Sequence, residues 1–130
     1  MTFKTLLVLK ALVCLVAGVI LLAAPGWLFG VLGTTLGPGG TFPAREYGAA
    51  LMGILMLTWL ARDIPPSSAR KAILVGLLVY DGIGLVITTL AVVSHVLNPL
   101  GWGIALVYLV FTLGPAYLLL GNAAAEPAAA

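Results

Sequence analysis

At 130 residues, 62% of them hydrophobic and only 8% charged, with a mean hydropathy of +1.21, the chain lies outside the balance of a soluble domain and belongs in a bilayer. Its net charge of +2 comes without a basic cluster, so it has no electrostatic footprint for nucleic acid, and lipid, protein or small molecules are the partners left. The lone Cys14 excludes an internal disulfide and a CxxC pair for electron exchange.

The apolar residues recur in four runs separated by Pro, Gly and the few charges. This pattern predicts an all-α fold, a transmembrane four-helix bundle forming one domain over residues 1–122. The first span, residues 6–24, has about the twenty residues that cross a core ~30 Å thick. Lys4 and Lys10 before the run Ala11–Ala24 imitate a signal peptide. Pro25 would follow the cleavage point after Ala24, however, and Leu22 departs from the A-x-A pattern, so the segment reads as an uncleaved span. Pro25-Gly26 ends it. Residues 27–32, with an interface-favouring Trp27, are too short to cross again and are expected to lie in the outer interface, before a flexible Gly37-Pro38-Gly39-Gly40.

The second span, residues 44–60, closes at Arg62-Asp63 and Pro65-Pro66, after which Ser67-Ser68 cap the next helix. Glu46, Ala49, Ala50 and Gly53 share one face of it in a small-xxx-small pattern that suits close packing, within the bundle by default or against a second subunit. The third span, residues 72–93, starts after Arg70-Lys71 and ends near His95, with Asn98-Pro99 as the turn. In the fourth, residues 102–120, Pro115 frees the carbonyl of Phe111 and predicts a kink. Gly121-Asn122 should stop that helix and leave residues 123–130 as a disordered Ala-rich tail. Lys4 and Lys10 mark one side of the membrane, and Arg62, Arg70 and Lys71 mark the same side two crossings later. The positive-inside rule therefore puts both termini and the middle loop in the cytoplasm.

Asp81 is the anomaly in this pattern. A carboxylate deep in a span costs about 2.5–3.5 kcal/mol on insertion scales, so it calls for a partner, a proton or a role. At 100° per residue, Gly84, Thr88 and His95 fall on its face of the helix, as a polar track or simply as the seam that faces other helices. Counted from residue 72, Asp81 sits about 14 Å deep, and Lys10 about 6 Å deep with a side chain long enough to cover most of the difference. Thr58, Thr112 and Tyr117 lie at comparable levels. Two readings follow: a buried Lys10–Asp81 ion pair, or an Asp81 that is protonated at neutral pH. At the outer edge, Arg45 and Glu46 open the second span and His95 closes the third. Those spans are expected to be antiparallel neighbours, which would gather the three residues into an interfacial cap with too few ligands for a metal. The chain has no nucleophile elbow, HExxH or Walker motif, so neither a catalytic residue nor a cofactor is expected.

Pro43-Ala44-Arg45 ahead of the second span, Ala61-Arg62-Asp63 after it and Gly101-Trp102 at the fourth resemble the DoxX-like group of small bacterial membrane proteins. The resemblance covers the whole chain at low specificity. It implies a four-helix architecture and a multi-pass location in the bacterial inner (plasma) membrane, and it carries over no functional residue. Some relatives of the group take part in quinone or thiol oxidation assemblies, a role for which this chain offers no cysteine pair. The leading expectation is a non-enzymatic accessory or interaction subunit, in a membrane-protein complex or a homodimer, with Asp81 as its buried anchor. The alternative is a small proton-coupled transporter or ligand-binding bundle that uses Asp81. Lipid- or quinone-directed enzyme chemistry comes third.

Overall fold

The computed structural model describes residues 1–125, with side chains through Gly121. The fold is all-α, with helices α1 (Phe3–Ala23), α2 (Pro25–Val31), α3 (Pro38–Ala61), α4 (Ser68–Val93) and α5 (Gly101–Ala125) and no strand among the described residues. Three of these are long and apolar enough to cross a membrane: α1, α4 and the Gly101–Gly121 portion of α5. α3 is equally long at 24 residues, but it carries Pro38-Gly39-Gly40, Pro43, Arg45 and Glu46 in its first turns.

Local chemistry sets the helix ends. Thr2 Oγ1 accepts from the Thr5 amide at 3.2 Å and Ser67 Oγ from the Arg70 amide at 3.3 Å, capping α1 and α4. α4 ends in a Schellman motif: the His95 N–H donates to Val92 O at 3.1 Å and the Val96 N–H to Ala91 O at 2.9 Å, with His95 at φ 60°. His95 therefore lies beyond the helix and is exposed, so it leaves the face it was expected to share with Asp81. α3 begins earlier than expected because Pro38 sits in its first turn, where the missing N–H costs nothing, and Thr41 bonds back to Gly37 O at 3.2 Å. Residues 27–32 mostly join the short α2. α5 continues through Gly121 and Asn122 to Ala125, consistent with the high helix propensity of alanine. The rest of the expected tail, residues 126–130, lies outside the described residues.

The helices pack chiefly as two pairs, α1 on α3 and α4 on α5. Glycines allow the close approach: a Cβ on Gly48 would sit 3.0 Å from Gly18 O and 3.0 Å from Leu21 Cβ. α3 thus packs through Ala44, Gly48, Leu51, Thr58 and Ala61, while Glu46, Ala49, Ala50 and Gly53 are exposed. This corrects the expected packing face. Both stripes carry small residues at helical spacing, and the contacts of Gly48 with Gly18 and Leu21 of α1 distinguish them. α3 and α4, expected as close neighbours, meet mainly through long side chains.

The two pairs are joined at each level. At the end that holds the N-terminus and the α3–α4 turn, Phe3, Leu6, Leu7, Ala61, Leu74, Leu77 and Phe111 form a core drawn from all four long helices. At the far end, Asn98 donates through its backbone N–H to Leu32 O at 2.8 Å and through Nδ2 to Val31 O at 2.9 Å. Gly33 makes room for that contact: it has φ 82°, and a Cβ there would lie 3.0 Å from Asn98 Cβ. Between these ends lies the polar layer.

Candidate functional site

The buried face of α4 is a stripe of Leu74, Leu77, Asp81, Thr88 and Val92, which repeats at helical spacing and carries the carboxylate into the interior. Asp81 is 0% exposed and Lys10, on the buried stripe of α1, is 3% exposed. Lys10 Nζ donates to Asp81 Oδ1, a contact that ties the α1/α3 pair to the α4/α5 pair. Aromatic rings flank the ammonium, with the Tyr80 centroid 4.9 Å and the Phe111 centroid 4.8 Å from Nζ. Lys10 therefore touches both helices of the opposite pair.

The other expected polar neighbours are occupied elsewhere. The Thr58 hydroxyl donates to Ile54 O at 2.8 Å and Thr112 to Tyr108 O at 2.8 Å, each within its own helix. Tyr117 is exposed. Thr88 is buried two turns beyond Asp81 and lies outside the Lys10–Asp81 bond. Arg45, Glu46 and His95 are all exposed, and among the described residues no ion pair joins them. Nor do the described residues contain a group of three His, Cys, Asp or Glu placed to hold a metal.

Beside the pair lies a feature that sequence reasoning missed. The Tyr47 hydroxyl is 2.6 Å from the Tyr80 hydroxyl and 2.6 Å from the Tyr108 hydroxyl, which links α3, α4 and α5. The Tyr108 ring lies over Gly84, where a Cβ would collide with it. The available signal was burial chemistry rather than spacing: a tyrosine hydroxyl inside a span needs a partner, and Tyr80 adjoins the buried carboxylate.

Asp81 Oδ2 is enclosed and has no hydrogen-bond partner among the described residues. The arrangement is thus a salt bridge satisfied on one oxygen, next to a cluster of three hydroxyls. It can lock helices together and can accept one further hydrogen bond at Oδ2. Comparison of the chain with protein-family models, with curated proteins and with solved structures finds no match.

Proposed function

We propose that the chain is a four-span integral membrane protein built as a helical bundle of the DoxX-like kind. Both termini and the α3–α4 turn lie on the cytoplasmic side of a bacterial inner membrane, and the protein serves as a non-enzymatic accessory subunit of a membrane assembly. Three helices with the length and apolarity of spans support the membrane reading. α3, about 36 Å long at 1.5 Å per residue, packs along α1 and crosses with it. Lys4, Arg62 and Arg70 gather at one end, as the positive-inside rule requires of a cytoplasmic face.

The observation that carries the accessory reading is the enclosed Lys10–Asp81 contact. The buried lysine and the buried aspartate neutralise each other, which makes them a packing device rather than a carrier's binding site. A second reading, a proton-coupled carrier, draws on Asp81 Oδ2, the acceptor left without a partner.

Purification of the tagged chain from its native membranes in a mild detergent separates the two. The accessory reading expects a larger membrane protein to co-elute in fixed ratio. Elution of the chain alone, together with proton release on adding a ligand, would favour the carrier.

A further inference from the structure

Where the N-terminus meets the α3–α4 turn, Phe3, Lys4, Arg62, Asp63 and Arg70 line an open hollow of about 320 Å3. Three cations face one carboxylate. Lys4 Nζ lies 2.7 Å from Asp63 Oδ1 and Arg62 Nε 3.4 Å from Asp63 Oδ2, so Lys4 and Arg62 share that carboxylate. Arg70 takes no part in it. Its guanidinium lies over the Phe3 ring at 4.1 Å, and its Nε is enclosed without a hydrogen-bond partner among the described residues. Arg70 as a whole is half-buried and lines the hollow, where phosphate oxygens fit a guanidinium fork.

The surroundings select for an anion. α1 and α4 both start here, capped by Thr2 and Ser67, and neither has an acid in its first turn. Their N-termini add partial positive charge to that of the three side chains. Just beyond the hollow the helix surfaces become apolar, with Leu57, Leu60 and Val75 all exposed. A phosphate held in the hollow could therefore belong to a molecule whose hydrocarbon chains run along those residues.

We propose that this hollow binds the phosphate of an anionic phospholipid headgroup, with Arg70 as its donor and Arg62, whose guanidinium is held by Asp63, the Trp59 carbonyl and the Trp59 ring, adding positive charge. The proposal rests on reading the long helices as membrane spans, which places the hollow at headgroup level. Basic pockets between spans on the cytoplasmic side are suited to such headgroups.

Native mass spectrometry of the detergent-purified full chain tests this, with phosphatidylglycerol and phosphatidylcholine supplied at equal concentration and glycerol 1-phosphate alone in a third arm. The wild type should retain phosphatidylglycerol about tenfold over phosphatidylcholine. The Arg62→Gln/Arg70→Gln double variant should fall below about a twofold preference, while Lys71→Gln, outside the hollow, should keep the wild-type ratio. Arg70→Lys retains the charge but loses the fork, and should lower the ratio about threefold even if the double variant fails to fold. Equal retention of the two lipids by the wild type, or an unchanged ratio in Arg70→Lys, would overturn the proposal. Glycerol 1-phosphate bound as tightly as the lipid would reassign the site to a free anion. Alkaline carbonate extraction separates the two layers of inference. A chain that stays in the membrane pellet yet shows no lipid preference refutes only the hollow, whereas a chain released to the supernatant refutes the membrane reading.

Discussion

Asp81 accepts from Lys10 through one oxygen, and its other oxygen is enclosed beside it. In hydrocarbon a polar group that loses its partner has no water to turn to, so removing either member of the pair leaves a buried, unpaired charge rather than a neutral gap. Tyr47 is the corresponding node among the hydroxyls, because both Tyr80 and Tyr108 bond to it. At 37% exposure its ring sits at the edge of the packing, so Tyr47→Phe removes the hydroxyl without opening a cavity. That substitution should lower stability in detergent by about 1–2 kcal/mol, measured by chemical unfolding, with the lower end favoured if membrane hydrogen bonds keep their modest average worth. An unchanged midpoint would mean that Tyr80 and Tyr108 find each other unaided.

At the level of elements, α1 and α3 approach through Gly18 and Gly48, where any Cβ meets backbone. Gly48→Leu should separate the two helices and cost at least about 2–3 kcal/mol by overpacking, whereas Gly53→Leu, with nothing within 4 Å of its Cβ position and a gain in helix propensity, should keep or raise the thermal midpoint. Equal loss from both would refute the assigned face. The same contrast shows what the sequence could reveal. The all-α class and the Ser67 cap follow from the apolar runs and the serines ahead of one of them, and of the two readings left open for Asp81 the structure brings Lys10 Nζ onto Asp81 Oδ1, while the short α2 adds a helix that the four runs do not contain. The packing face of α3 does not follow, since lipid and helix neighbours both accept small residues. The tyrosine cluster draws one residue from each of three helices and so leaves no period to read. The early start of α3 was hidden because a Pro-Gly-Gly run signals a loop, although Pro also favours the first helical turn.

Across the whole molecule, the ties between the two helix pairs are apolar at the N-terminal end, ionic in the middle and amide-based at Asn98. Lys4 and Asp63 add a surface tie at the N-terminal end, and the Lys4 hydrogen bond holds the Asp63 carboxyl below its usual range. A carboxyl with a lowered folded-state pKa stabilises the fold above the ordinary aspartate value, near ~3.9, and that contribution disappears as pH falls through the lowered value. Asp63 is exposed, so the effect should be small and screened by salt. Wild type and Asp63→Asn should therefore differ slightly in melting temperature at pH 6 and converge once the pH falls below the lowered Asp63 value. A gap that persists at low pH would assign the tie to something other than this carboxylate. The central claim, that the buried Lys10–Asp81 ion pair couples the two helix pairs, is tested most directly by a double-mutant cycle of Lys10→Met and Asp81→Leu in detergent micelles. Each single substitution should cost about 3–5 kcal/mol and the double much less than their sum, a coupling of at least about 2 kcal/mol. Additive losses, or a Lys10→Met protein as stable as the wild type, would contradict it.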